Sequence, residues 1–241
     1  MYLTNSDKYA IILSLNIGNP GGDFLTGAAN ARSVLETELS PSVRLQIVPV
    51  IMRAYSLTDT LFEDSDFLRW AVGKDLYRQV RRVVVEHELK RLVDTRELGF
   101  KAVIAPNAID NCRHLELRGK RLVLTVSQTT SPRALPRKAL YRNHHSWSNQ
   151  QCLVFPGHND EDANVDEDRR LYAILTHGYL NKQPEHIAIG VPEPLVKGWI
   201  VRLNLLAGPL PVARPEGMGT LEEEQLVSLK DHVKKVVEEH A

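Results

Sequence analysis

At 241 residues the chain can bury a sizeable core, as one large domain or two small ones. Its 30 basic and 30 acidic side chains cancel, so overall charge selects no partner class and only local patches carry information. No apolar run reaches the roughly 18 residues of a membrane span, no export leader is apparent, and Cys112 and Cys152 are too few for a disulfide framework or a Cys-rich zinc site.

A cytoplasmic protein with reduced thiols, no membrane contact and no cofactor is therefore expected. Hydrophobic and charged contents of 43% and 25% are those of an ordinary globular chain.

The apolar run Tyr9 to Ile17 follows Asn5, Ser6 and Asp7, which suit a helix start. Gly18-Asn19-Pro20-Gly21-Gly22 then breaks it, and lacks the glycine spacing of a phosphate loop or dinucleotide fold. A plain turn is expected. Asp23 is the natural cap for a helix through Leu39, with Leu25, Ala28, Ala29, Ala31, Val34, Leu35 and Leu39 turned inward. Ser40-Pro41 restarts the chain, proline being well placed in a first helical turn. Pro49 predicts a kink or two pieces within Val43 to Leu57, since an interior proline costs about 3 kcal/mol. A short helix is expected from Ser65 or Asp66, carrying Phe67, Leu68 and Trp70.

The stretch from Lys74 to Gln128 organises the rest. Leu76, Tyr77, Val80, Val83, Val84, Leu89, Leu92 and Val93 recur mostly at three- and four-residue steps, the stripe of a long helix. Burying each contributes roughly 1.5–3 kcal/mol, which outweighs the weak helix propensity of Val83-Val84-Val85. Gly99 is the expected stop, glycine taking a left-handed cap without a Cβ clash. Strands follow at Phe100 to Ala105, Cys112 to Leu117 and Arg121 to Val126, with period-two alternation. Arg118-Gly119-Lys120 predicts a tight hairpin whose glycine supplies a positive φ.

Thr129 to Gln151 is basic and irregular. Six acids follow: Asp160, Glu161 and Asp162 in a solvated loop, then Asp166, Glu167 and Asp168 opening a helix expected from Asp166 to His177, ended by Gly178. Strands are expected at His186 to Val191 and Trp199 to Leu206, and Pro192-Glu193-Pro194 separates them.

The expected fold is α+β, with a helical N-terminal half, a central antiparallel sheet and a C-terminal helix. Its parts are a mainly helical region over 1–98, a mixed region over 99–206, a Pro/Gly linker over 207–219 and a polar helix over 220–241. Thr220 and Glu223 form a capping box on that last helix, whose narrow apolar stripe suits docking or pairing with a second chain.

Three constellations carry chemistry. Between Arg113 and His145 eight cations (Arg113, Arg118, Lys120, Arg121, Arg133, Arg137, Lys138, Arg142) face one acid, Glu116. Gathered on one surface they would neutralise phosphates, and Tyr141, His144, His145 and Trp147 would add planes for stacking on unpaired bases. Pairing with the acids after His158 is the competing use of the same charge. The second constellation is His144, His145, His158, Asp160 and His177, ligand types that hold a divalent ion, though without an HExxH or Cys-pair spacing. The third is an acid followed by Glu-x-Arg: Asp110 before Glu116-Leu117-Arg118, with Glu88 on the preceding helix. That order resembles a nuclease arrangement, but Arg118 stands where a lysine would, and arginine does not deprotonate.

The residues thus favour a non-catalytic nucleic-acid or polyanion-binding protein. The alternatives are a metal-dependent hydrolase or nuclease using Asp110, Glu116 or His145, and a protein-interaction module.

Overall fold

The computed structural model describes residues 20–95, 98–107, 109–154 and 170–207. The first apolar run, the acidic stretch with His158 and Asp160, the Pro/Gly linker and the C-terminal helix lie outside the described residues.

Within them the architecture is α+β: helices α1 (Pro20–Glu38), α2 (Pro41–Asp64), α3 (Asp66–Arg69), α4 (Ala71–Lys74) and α5 (Tyr77–Thr95), then a six-stranded sheet. Its strands are β1 (Lys101–Pro106), β2 (Arg113–Arg118), β3 (Leu122–Thr129), β4 (Leu171–Gly178), β5 (Ile187–Pro192) and β6 (Trp199–Asn204), paired in that order. Helix α6 (Leu140–Val154) connects β3 to β4. No helix among the described residues is long and apolar enough to cross a membrane.

Helix α1 starts earlier than Asp23, at Pro20, whose missing N–H costs nothing in a first turn. Helix α2 begins as expected, with Ser40 Oγ accepting from Val43 N at 3.4 Å. It runs unbroken through Pro49. Pro49 lies on the exposed side, where the carbonyl it leaves unpaired can meet solvent, and the opposite side buries Ile47, Val48, Ile51, Ala54 and Tyr55. At roughly 1.5–3 kcal/mol per large side chain, that burial exceeds the proline penalty. Helix α5 buries Val80, Val84, Leu89, Leu92 and Val93 of the expected stripe; Val83 is only half-buried, Val85, Arg81 and Glu88 are buried as well, and Gly99 beyond the helix has φ +74°.

Strands β1 to β3 form the expected antiparallel meander, but the sheet is mixed. Helix α6 carries the chain across, so that β4 pairs parallel to β3 over Leu122↔Leu171 to Thr129↔Gly178. The segment expected as the later half of a helix ending at His177 is therefore a strand. Every residue of Leu171–Gly178 is buried, because a central strand with both faces covered has no polar side to show its period.

One sheet face, with Leu115, Leu117, Leu122, Leu124, Val126, Leu171 and Leu175, packs on apolar residues of α1, α2 and α5 as a single core. The other face carries His114, Glu116, Thr125 and Tyr172 and lies under α6.

Gly119 does not supply a positive φ to the β2–β3 hairpin, where only Gly99 among the described glycines has one. It supplies room. A Cβ there would meet a Glu38 carboxylate oxygen and stand 3.0 Å from the Phe100 ring, and the same carboxylate accepts from Lys120 N at 3.0 Å. Gly190 serves the same purpose on β5, where the Trp199 ring rests on it. A Cβ at Gly190 would stand 2.5 Å from that ring and 3.0 Å from Arg202 Cγ. Gly190→Ala is expected to cost about 1–3 kcal/mol, as overpacking does, and to shift tryptophan emission as the indole lifts. An unchanged spectrum and urea midpoint would contradict the packing.

Candidate functional site

Helix α6 explains how the polar face is assembled. Tyr141, His145, Ser146 and Asn149 fall on one side of it by three- and four-residue spacing, and all face the sheet. Asn149 bridges the ends of two strands: its Nδ2 donates to Tyr172 O at 3.1 Å and Pro192 O at 2.8 Å, and its Oδ1 accepts from Tyr172 N at 2.7 Å. Ser146 Oγ donates to Asn143 O at 2.9 Å and accepts from Leu195 N at 3.0 Å. The Asn149 bonds tie helix to sheet by satisfying buried backbone groups of Tyr172 and Pro192, and the Ser146 hydroxyl ties the helix to the turn at Leu195.

At the centre stands Glu116. Residues 114, 116 and 118 alternate onto one face of β2, and α6 lowers His145 onto them. Glu116 Oε1 accepts from His145 Nε2 at 2.9 Å and from His114 Nε2 at 3.2 Å. Its Oε2 accepts from Arg118 at 2.9 Å. Two tyrosines fix the imidazole planes: Tyr141 stacks on His114 at 3.8 Å and Tyr172 on His145 at 5.0 Å, both at 23°. The Tyr172 hydroxyl is held in turn by Thr125 Oγ1 at 2.8 Å.

Burial alone would raise the Glu116 carboxyl, but hydrogen bonds from His114 and His145 and the Arg118 guanidinium hold it well below the usual carboxylate range. Glu86 of α5 behaves in the opposite sense. Burial raises its carboxyl above the ordinary value, although Arg82 donates to it at 3.1 Å and His114 lies close. Glu116 and His114 are almost fully buried, whereas His145 and Arg118 keep about a third of their side chains exposed, opening one side of the cluster to solvent.

The nuclease-like constellation does not converge. Glu88 lies between α2 and α5, paired to Arg91 at 3.0 Å and Arg53 at 3.5 Å, and Asp110 stands exposed in the β1–β2 loop. Of its members only Glu116 and Arg118 meet, at 2.9 Å, and the other partners of Glu116 are His114 and His145. His144, the neighbouring candidate ligand, is exposed. His177 sits across the sheet, fully buried, bonded to Tyr55 of α2. His114, Glu86 and Tyr172 are not singled out by the sequence, and Tyr141 is singled out there only as a plane for stacking on bases, not as a partner of this cluster. The available signal was that His114 stands two residues before Glu116 on a strand, hence on the same face.

The basic residues divide between two ends of the sheet. Arg118, Lys120 and Arg121 lie at the β2–β3 hairpin, with Arg118 committed to Glu116. Arg113 begins β2 at the opposite end, where β3 delivers the chain into the loop holding Arg133, Arg137 and Lys138 and then Arg142. An eight-residue strand, about 25 Å long, separates the ends. Arg113, Arg133, Arg137 and Lys138 are exposed, and no acidic partner for them or for half-buried Arg142 occurs among the described residues. Arg142 donates to Arg137 O at 2.6 Å and lies over the Tyr141 ring. Burial, together with the nearby Arg133 charge, pushes Arg202 of β6 below its ordinary value, so two cations crowd here. Trp147 is exposed on α6.

No protein-family model matches the chain, and comparison with curated proteins and with solved structures found no match either.

Proposed function

We propose that the chain binds nucleic acid, or another polyanion, without transforming it, through the end of the sheet where β3 passes into α6. Arg113, Arg133, Arg137, Lys138 and Arg142 form the contact, with Arg202 beside them and Trp147 available for stacking. One observation carries the reading: no acidic partner for these cations occurs among the described residues, while Arg142 donates to Arg137 O and Trp199, which donates to Arg133 O, lies beneath the Arg202 guanidinium. A phosphate chain supplies that partner, and released counterions drive binding. The hairpin cations at the other end are not needed.

Fluorescence anisotropy of a labelled single-stranded oligonucleotide at several salt concentrations tests this. About four phosphate contacts give a log–log slope near −3. Arg137→Glu with Lys138→Glu should reduce the slope by about 1.4 and weaken binding at least tenfold, while Lys120→Glu changes neither. A slope near zero removes the proposal.

A second reading, a metal-dependent hydrolase or nuclease, is favoured by the meeting of Glu116 and His145 at 2.9 Å. Loss of oligonucleotide cleavage in both Glu116→Ala and His145→Ala would support it, and cleavage unchanged in both would end it.

A further inference from the structure

We infer that His114, Glu116 and His145 form a binding site for one divalent transition-metal ion of the zinc or cobalt type. The site underlies the hydrolase reading but does not depend on any catalytic activity.

The argument is geometric. The two imidazole nitrogens and one carboxylate oxygen lie within 4.8 Å of one another. With metal–ligand bonds near 2.1 Å at tetrahedral angles, donor atoms stand about 3.4 Å apart. The observed separations from Glu116 Oε1 are 3.2 Å to His114 and 2.9 Å to His145, so each imidazole need part from the carboxylate by only tenths of an ångström, and the two imidazole nitrogens lie within 4.8 Å of each other. Two histidines and one carboxylate are a ligand set shared by hydrolytic zinc sites and open-sided iron sites.

Preorganisation adds to this. His114 and Glu116 are fixed by the strand, the imidazole planes by Tyr141 and Tyr172, and both rings present Nε2 to the same oxygen. Arg118 occupies the second carboxylate oxygen, so Glu116 offers Oε1 as a single ligand. The partly exposed edge at His145 leaves room for water as a fourth ligand. When an ion enters, each Nε2 gives up the hydrogen now directed at Glu116, and the proton of the neutral imidazole resides on Nδ1. The His114 Nδ1 is buried without a hydrogen-bond partner. That missing outer contact points to a site of moderate affinity, because such partners typically contribute 10–100-fold.

The full-length chain, stripped with a chelator, is titrated with Co2+ while visible absorption is followed, and with Zn2+ by calorimetry. The expected result is one equivalent per chain, with absorption bands of four- or five-coordinate cobalt. His145→Gln and His114→Gln should each weaken binding at least tenfold. His145 stands at the cluster's open edge, so His145→Gln keeps the fold, checked by circular dichroism, and alone decides should the His114 variant unfold. Absence of binding, or affinity unchanged in His145→Gln, overturns the inference. Metal binding without oligonucleotide cleavage upholds the site and removes only the hydrolase reading.

Discussion

Replacing Arg81 by Met is expected to cost about 3 kcal/mol or more, among the largest single-residue effects available in this chain. Arg81 is 1% exposed, a buried cation on α5. Its guanidinium lies between the rings of Tyr55 and Tyr77, at 4.2 and 4.3 Å. It donates to Asn181 O at 2.9 Å, Tyr179 O at 3.2 Å and the Tyr77 hydroxyl, and stands 3.6 Å from Asp59. Methionine fills the stem but leaves the loop carbonyls of Tyr179 and Asn181 without their donor and Asp59 without its nearby cation, and the cost of stranded partners exceeds the worth of the bonds themselves. Lysine keeps the charge yet lacks the planar fork that stacks and donates in several directions, so Arg81→Lys should recover less than half of the loss. Urea unfolding at constant m-value measures both. A loss under 1 kcal/mol for each would show that this cation contributes little.

Stability should also fall steeply in acid, and His177 is a chief cause. The Tyr55 hydroxyl donates to Gly178 O, so His177 Nδ1 donates to the Tyr55 oxygen at 2.6 Å and the ring is neutral. Its Nε2 is buried without a partner. Burial first, then the Arg81 and His186 charges, push its pKa down to about 3 from 6.5. Above pH 6.5 neither folded nor unfolded chain holds this proton, and the residue contributes no pH dependence. Between about 6.5 and 3 the unfolded chain takes the proton and the folded one does not, so stability drops by about 1.4 kcal/mol per unit as pH falls. At pH 4 the loss is on the order of 3 kcal/mol. His177→Gln, though less stable at neutral pH, should show a pH slope shallower by about one proton over that interval. Equal slopes in both chains would locate the acid sensitivity elsewhere.

The mechanism of these effects lies in elements that the sequence displayed unequally. Helix α5 and the β2–β3 hairpin are legible because the apolar residues of each keep one period: Val80, Val84 and Leu89 hold helical spacing, and Leu115 and Leu117 alternate with His114, Glu116 and Arg118, polar residues even where the second face is covered too. Strand β4 was not legible, since Leu171–Gly178 is covered on both faces and shows no alternation. Helix α6 was missed for a different reason. Its inward side consists of Tyr141, His145, Ser146 and Asn149, polar residues meeting a polar sheet face, so the helical period was present but not in the apolar residues.

Missing α6 also obscured the site. Glu116 and His145 were both recognisable as chemistry-bearing side chains, but without the helix nothing in the spacing brings residues 29 apart into contact. Asp110 and Glu88 show the converse. Their order along the chain suggested a constellation that the topology does not close, since Glu88 turns toward Arg53 and Arg91 on the apolar side of the sheet.

The parallel β3–β4 pair has a consequence for how the chain is made. Everything that β3 hydrogen-bonds on one side is already synthesised when β3 emerges from the ribosome, but its other neighbour is over forty residues away. Until β4 arrives, the nascent protein presents the open edge of an almost fully buried strand, the kind of surface that templates aggregation. Helix α6, which follows β3 after a ten-residue loop, makes its sheet-side bonds to Tyr172 of β4 and Pro192 of β5, so its own docking also waits for the strands that close this edge.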